Sequence, residues 1–410
     1  MNVRRTAAVL AVTAVLGAAA APAVADDASP SPSPSVAIPS GLYGDTDPAY
    51  DGVWRQSLAL TAQDLVGEKP AAQAVDWLVG QQCSDGAFPA YRADTTAQCD
   101  AQTQVDTNST AAAVQALAAL GGHDAETVHA LRWLKDAQND DGGWGYTTNG
   151  PSDANSTSVV IGALAAVGDD PEEQRSAEGN TPYDALRALA VPCGEEDGGA
   201  FAYQPDAKGA LTANADATAA AVLGSLGKGF APGAGESGAA GAAECVDGDD
   251  ASPADAARGG AAHLTEAMAK DGYLTSVLPG AEDQPDYGNT ADAVVALAAA
   301  GATGDTAEPL ARLKEHGPAW AAGAGPAAYA QLVFAAHATG TDPRDFGGTD
   351  LVKALNATGP QPEAAESAAA EETSEEDGSA LGITLIVAAF LVAGLGIGIF
   401  LSLRGRKRRP

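Results

Sequence analysis

The chain has 410 residues and carries 54 acidic against 22 basic residues, which gives a formal net charge of −32 at pH 7. Its hydrophobic share of 45% is that of a globular protein, and much of this share is alanine. Because phosphate binding needs a basic surface, this composition argues against nucleic acid as a partner.

The first 47 residues predict an export signal followed by a spacer. Arg4 and Arg5 precede an apolar stretch that ends in a small-x-small cleavage pattern, which is typical of a secretory signal peptide over residues 1–25. Residues 26–47 follow as a Ser/Pro-rich linker, and its alternating prolines favour an extended chain. We therefore expect the mature chain to lie outside the cytoplasm.

Residues 48–359 repeat one pattern four times. Each copy has an apolar-periodic helix, an Asp-Gly turn with an aromatic residue, a polar stretch and an Ala-rich helix that ends in glycine. The Ala-rich helices are apolar on nearly every side and belong inside, whereas the others carry a charged face and belong outside. Helices before and after the copies bring the count to six of each kind. The sequence therefore predicts an all-α fold, an α/α toroid with six inner and six outer helices.

One stretch of the second copy resembles a known family. Gln138–Gly145 is similar to the signature of prenyltransferase and squalene oxidase repeats, which terpenoid cyclases and protein prenyltransferase β subunits share. Gln82–Phe88 and Asp197–Phe201 are degenerate versions of it. The resemblance covers roughly residues 50–357 and implies the same toroid, but a fold of this kind says little about the reaction.

Connection lengths indicate which end of the ring is the working end. The connections from outer to inner helices are long, and they must crowd one mouth of the toroid. Aromatic residues and convergent polar groups at the mouth of a barrel are typical of a ligand pocket, although the same residues can cap helices and brace loops. The candidate ligand-binding residues at this mouth are Asp106, Asn108, Asp153, Asn155, Asn214, Asp216, Asp286, Asn289, Trp144, Tyr146, Phe201 and Tyr203.

The catalytic motifs that the resemblance implies are incomplete. Asp247–Asp250 has the letters of the Asp-x-Asp-Asp acid of class II terpene cyclases, but it precedes a Ser-Pro pair rather than an apolar helix. The histidines lack a metal-site spacing to the cysteines, so neither a metal nor a cofactor is predicted. Cys193–Glu196 reads Cys-Gly-Glu-Glu where complement-type thioester domains carry glutamine. Asp216 is the candidate for a catalytic acid.

The four cysteines of an exported chain are expected to form two disulfides. Three pairings are possible, and the simplest joins Cys83 to Cys99 within one loop and leaves Cys193 with Cys245. Such bonds would pin the long loops.

The end of the chain predicts a membrane anchor. Residues 360–379 are acidic and poor in large apolar side chains, which favours a disordered stalk. Residues 380–403 carry no charge and predict a transmembrane helix, and residues 404–410 form a basic cytoplasmic tail. We therefore expect a single-pass protein of the cell membrane whose main domain is extracytoplasmic.

Three functions remain open. The first is a membrane-anchored module that binds a small molecule or a surface protein, and the resemblance to corrinoid carriers implies cofactor capture beside a transporter as one form. The second is an exported terpene cyclase or prenyltransferase relative acting on a lipid, which would need a deep apolar lumen with a buried acid such as Asp216. The third is a scaffold with a filled ring. Because small side chains let the inner helices approach closely, the sequence favours binding over catalysis on a large lipid.

Overall fold

The computed structural model describes residues 37–233, 245–246, 251–276 and 284–364. Outside these residues lie the predicted signal peptide, residues 26–36 of the linker, residues 365–379 of the stalk, Asp247–Asp250, the predicted transmembrane helix and the predicted basic tail. Among the residues that are described, no helix is both long enough and apolar enough to cross a bilayer.

The described residues form twelve helices and one two-stranded antiparallel sheet. The inner helices are α1 (Gly52–Leu65), α3 (Thr107–Leu120), α5 (Ala154–Ala166), α7 (Ala215–Ser225), α9 (Tyr287–Ala299) and α11 (Pro326–Ala338). The outer helices are α2 (Ala72–Gly80), α4 (Asp124–Asp136), α6 (Pro182–Ala188), α8 (Pro253–Met268), α10 (Ala307–Ala324) and α12 (Leu351–Asn356). The strands β1 (Leu274–Ser276) and β2 (Gln284–Asp286) lie in the loop before α9.

The inner helices form a closed ring. Each packs on the next, in the order α1, α3, α5, α7, α9 and α11, and α11 packs back on α1. Each outer helix packs on one or two inner neighbours. This arrangement is the predicted all-α toroid with six inner and six outer helices.

Small side chains bring the inner helices together. Gly224 of α7 faces α5 so closely that an added Cβ would lie 2.6 Å from the Ser158 hydroxyl oxygen. Most residues of α3 and α5 are buried, which matches their lack of a polar face. The close approach leaves only a narrow lumen inside the ring.

The repeated Asp-Gly turn fastens each long loop to the inner helix that follows it. In all four copies, the backbone N–H of the buried residue after the turn donates to a threonine hydroxyl in the first turns of that helix. The pairs are Phe88 with Thr110 at 2.9 Å, Trp144 with Thr157 at 3.1 Å, Phe201 with Thr218 at 2.9 Å and Leu274 with Thr290 at 2.9 Å. The signature that carries the family resemblance therefore holds each long loop against the inner helix that follows it.

The glycine of the turn permits a close backbone contact with the next outer helix. Gly142 has a φ of 91°, and an added Cβ would lie 2.2 Å from the carbonyl oxygen of Thr181, the N-cap of α6. Gly86 has a φ of 101° and the same distance to the His129 carbonyl oxygen in α4. A side chain at either position would need both a rare backbone conformation and a displaced helix.

Both expected disulfides are present. Cys83–Cys99 closes a segment within the first long loop, and Cys193–Cys245 joins the loop after α6 to the connection between α7 and α8. Because Cys193 is bonded, its sulfur is not available for a thioester.

The packed region extends beyond residues 48–359 on both sides. Tyr43, in the expected linker, is buried, and its hydroxyl donates to the carbonyl oxygen of Pro360 at 2.7 Å. The buried Arg55 holds the same segment through the Tyr43 carbonyl at 2.8 Å. At the other end, Glu363 pairs with Lys69. Parts of the expected linker and stalk thus belong to the folded body.

Candidate ligand site in the ring lumen

The ring encloses a cavity of about 290 Å³, to which all six inner helices contribute side chains. Its polar lining includes Asn108, Asn155, Asp216, Asn289, Asp292 and Gln331. Its apolar lining includes Trp54, Leu58, Val159, Phe230, Val295 and Phe334. A concave site with apolar walls and a few polar groups is the usual form of a small-molecule pocket.

Four of the predicted candidates cap inner helices. A side-chain oxygen of each accepts from a backbone N–H three residues further on, which satisfies one of the free donors of a helix start. The distances are 2.6 Å for Asp106, 2.7 Å for Asp153, 2.8 Å for Asn214 and 3.1 Å for Asp286. Burial raises the pKa of Asp106 and Asp153, although the hydrogen bonds to these carboxyls oppose the rise. Their observed contacts are those of structural caps.

The predicted aromatic candidates divide into core and rim. Trp144 and Phe201 are fully buried away from the lumen, and the Trp144 indole N–H donates to the Leu134 carbonyl oxygen at 2.6 Å. Tyr146 and Tyr203 are 48% and 42% exposed. Their carbonyl oxygens accept from the first N–H groups of α3 and α5, at 2.9 and 3.1 Å, so they lie at the mouth.

The remaining predicted candidates reach the lumen because the caps fix the helix starts. Asn108, Asn155 and Asp216 each occupy the second residue of their helices, and Asn289 occupies the third residue of α9. The Asn155 side-chain amide donates a hydrogen bond to the Asp216 carboxylate. Burial raises the pKa of the Asp216 carboxyl, the hydrogen bond from Asn155 lowers it, and the charge of Asp286 raises it further.

Asp292 is a second lumen carboxyl. It is the sixth residue of α9, about 6 Å deeper than the second residue, given the rise of a helix. Gln331 is the sixth residue of α11, and its amide donates to Asp292 at 2.8 Å. Burial, with a further contribution from the Asp216 charge, raises the pKa of Asp292 to about 7. Near neutral pH this carboxyl is therefore divided between its two protonation states.

Several buried lumen atoms lack a hydrogen-bond partner among the described residues. They are Oδ1 of Asn108, Oδ1 of Asn155 and Oγ of Ser158. Ser158 is only 5% exposed. Buried polar atoms are nearly always hydrogen-bonded, so three such oxygens around one cavity are an unusual feature of its wall.

A short segment after α7 lines the far end of the lumen. The Phe230 N–H donates to Gln115 Oε1 at 3.0 Å, and its ring packs edge-on against Trp54 with centroids 5.3 Å apart. Lys228 lines the cavity at this end. Because α7 ends at Ser225, this end lies opposite the helix starts that carry Asp216.

Sequence reasoning missed Asp292, Gln331 and Ser158. The available signal was a lone polar side chain inside an otherwise apolar inner helix, as for Asp292 between Ala291 and Ala293. Such a residue is costly unless it is paired or used. Within the described ranges, no three His, Cys, Asp or Glu side chains are grouped as metal ligands.

The solved structures to which the chain is similar share little sequence identity with it. Among solved structures, the chain is similar to a sugar epimerase from a ruminal bacterium, with 14% identity, a TM-score of 0.45, and coverage of 68% of this chain and 80% of that one. It is similar to a protein from Actinoplanes, with 17% identity, a TM-score of 0.43, and coverage of 73% and 80%. It is also similar to ent-copalyl diphosphate synthase from Streptomyces platensis, with 18% identity, a TM-score of 0.45, and coverage of 70% of this chain and 50% of that one.

No curated protein matches the chain significantly. Residues 42–177 match the family described as the squalene-hopene cyclase C-terminal domain. The match includes the whole Gln138–Gly145 signature. The predicted resemblance to the prenyltransferase and terpenoid cyclase toroid family is therefore confirmed, and residues 42–177 carry it.

Proposed function

We propose that this chain is a membrane-anchored extracytoplasmic binding module whose ring lumen captures a small molecule. The observation that carries the proposal is the cavity of about 290 Å³ with unpartnered buried oxygens in its wall. A scaffold without a ligand would instead fill the ring with side chains, because empty space and unmet polar groups both lower stability.

The size of the lumen limits what it can hold. One water occupies roughly 30 Å³ of liquid, so about 290 Å³ offers room for on the order of ten non-hydrogen atoms. A polyprenyl chain and a corrinoid are both much larger. We therefore restrict the proposed capture to a small ligand, and cofactor capture beside a transporter is retained only for a cofactor of that size.

The proposed location draws on the ends of the sequence and on the disulfides. The pattern of residues 1–25 and the uncharged stretch 380–403 predict export and anchoring. Two disulfides are typical of an oxidising compartment outside the cytoplasm. The disulfides and the first residues support the proposed export, and the uncharged stretch 380–403 supports the proposed anchoring.

A second candidate function is acid catalysis on a small substrate. A general acid works best when its pKa lies near the ambient pH, and the pKa of Asp292 is raised to about 7. In that case Asp292, rather than Asp216, would donate the proton. Catalysis and capture differ in outcome, since only catalysis converts the bound molecule.

Native mass spectrometry of the full-length chain, extracted in mild detergent from its host, tests the proposal. We expect a stoichiometric small-molecule adduct. Ala220 lines the lumen, so Ala220→Phe fills it and should remove the adduct. Ala322 is exposed on α10, so Ala322→Phe makes the same change outside the ring and should retain the adduct.

Two results would contradict capture. One is a wild-type chain that is always empty and whose melting temperature no small molecule in a host extract raises. The other is an adduct that Ala220→Phe leaves in place. Conversion of the extracted ligand by the wild-type chain, lost in Asp292→Asn, would favour the catalytic alternative.

A further inference from the structure

We propose that the lumen ligand is a small organic cation, a protonated amine with a short apolar group, whose ammonium is held between Asp216 and Asp292. This inference rests on the proposed function, because it assumes that the lumen binds a ligand. It goes further by assigning the chemical class of that ligand and the two side chains that select it.

The first step is the charge of the mouth end of the lumen. Asp216 and Asp292 both line the cavity, and Asp286 lies close enough for its charge to raise the pKa of each. The described charge of opposite sign in the lining is Lys228, at the far end. Two carboxyls that face one small cavity repel each other and any anion, and they attract a cation.

The neighbouring groups do not neutralise this pair. Asn155 of α5, Asn289 of α9 and Gln331 of α11 are neutral amides. The other titratable groups that the structure describes at this end are carboxyls and tyrosines, namely Asp106, Asp153, Asp286, Tyr146 and Tyr203. None of these groups carries a positive charge in either protonation state. The mouth end therefore has a deficit of positive charge that a ligand can supply.

The second step is the balance of hydrogen-bond donors and acceptors. Asp216 accepts from Asn155 and Asp292 accepts from Gln331, but an ionised carboxylate can accept about four hydrogen bonds. The unpartnered Oδ1 of Asn155 and Oγ of Ser158 add further acceptors to the same wall. A primary ammonium offers three N–H donors and no acceptor, which matches this surplus.

The third step is the apolar remainder of the cavity. Leu58, Val159 and Val295 line it together with aromatic side chains of α1 and α11. A fully hydrated inorganic cation leaves this surface uncovered, whereas a short alkyl or aryl group buries it. The rings of Trp54 and Phe334 also favour an organic cation, since aromatic faces attract positive charge.

Isothermal titration calorimetry of the full-length chain in detergent, freed of any native ligand, tests the inference. The probes are 2-phenylethylamine, butylamine, the neutral 2-phenylethanol and the anionic 3-phenylpropionate. At about pH 8 the amines are protonated and Asp292 is largely ionised. We expect 2-phenylethylamine to bind about tenfold or more tightly than 2-phenylethanol, and the anion not to bind.

The protonation of Asp292 gives a more specific readout. The cation binds the ionised carboxylate, so affinity should fall below pH 7 by up to about tenfold per pH unit. At pH 7 amine binding should release on the order of half a proton, seen as a dependence of the heat on buffer ionisation. Asp292→Asn and Asp216→Asn should each weaken binding, and Asp292→Asn should also abolish proton release. Asp76→Asn, on the exposed face of α2, should change neither.

The outcomes separate this inference from the proposed function. Equal binding of the alcohol, preferred binding of the anion, or a native adduct that is not a cation would overturn the amine while capture stands. Displacement of the amine by millimolar calcium, together with equal affinities for 2-phenylethylamine and butylamine, would also overturn the assignment of an organic cation. If no probe binds and native mass spectrometry finds no adduct, both proposals fail together.

Discussion

Replacing Asp292 with asparagine should raise the stability of the protein at neutral and alkaline pH. The folded protein raises the pKa of this carboxyl from 3.8 to about 7, chiefly by burial. Between these values the folded state binds more protons than the unfolded chain, so stability falls as pH rises from about 4 to about 7 and is constant above. Asparagine keeps an oxygen that can accept from Gln331 but carries no charge.

The size of the effect follows from the pKa. A rise from 3.8 to about 7 corresponds to at most about 4 kcal/mol of free energy. Because Asp292 is partly exposed to the lumen and coupled to Asp216, we expect about 1–3 kcal/mol. The free energy of unfolding of Asp292→Asn should therefore exceed that of the wild type by about 1–3 kcal/mol at about pH 8. The difference should vanish at about pH 4.

Urea unfolding of the ligand-free full-length chain, followed by tryptophan fluorescence at several pH values, measures the difference. Asp76→Asn removes the same charge from the exposed face of α2 and should keep the wild-type pH profile. A variant that is less stable than the wild type at about pH 8, or a difference that does not depend on pH, would refute the reasoning. Either result would mean that Asp292 is ionised in the folded state without a cost.

Three further changes test the packing of the toroid, each by urea unfolding. Gly142→Ala should lower the free energy of unfolding by more than about 3 kcal/mol, because the added Cβ meets backbone atoms. Gly179 has a similar φ but open space around it, so Gly179→Ala should lower it by only about 1 kcal/mol. Equal losses would contradict the close contact at Gly142. Thr157→Val should cost about 1–3 kcal/mol by leaving a buried N–H unpaired, and no loss would mean that the brace is unimportant. Replacing Cys193 and Cys245 with serine should cost up to about 4 kcal/mol, because the bond closes a segment of 52 residues, and an unchanged midpoint would contradict this estimate.

The ring was predictable because its information is repeated along the chain. Each copy encodes the same order of helix, turn and helix. When each of six inner helices packs on the next in the same way, the sixth packs on the first and the ring is closed. The caps were predictable for a local reason, since an Asp or Asn before an apolar helix satisfies N–H groups three residues away. Asp106 and Asp153 illustrate this short range.

The position of the loop aromatics could not be read from the sequence. Trp144 is fully buried while Tyr146, two residues later, is half exposed. The difference arises because the Trp144 N–H is fixed by Thr157 and its indole by the Leu134 carbonyl, 13 and 10 residues away. A loop whose shape is set by such contacts gives no periodic signal.

The size of the lumen depends on the combined volume of side chains from all six inner helices, which no local sequence pattern contains. Whether six helices leave a cavity depends on side chains spread from Trp54 to Phe334. The expectation that Ala-packed helices allow only a narrow lumen agrees with the observed volume of about 290 Å³. Asp292 was missed because one carboxyl hardly alters the apolar average of α9, although its burial dominates the electrostatics of the site.

Stability and binding together distinguish a ligand site from a defect of packing. If Asp292 only filled space, asparagine would serve as well in every assay. A carboxyl that costs stability at neutral pH is expected at functional sites, where a stabilising replacement commonly costs function. We therefore expect Asp292→Asn to gain stability and to lose affinity for 2-phenylethylamine in the same preparation. A gain of stability with unchanged affinity would assign the cost of this carboxyl to something other than the ligand.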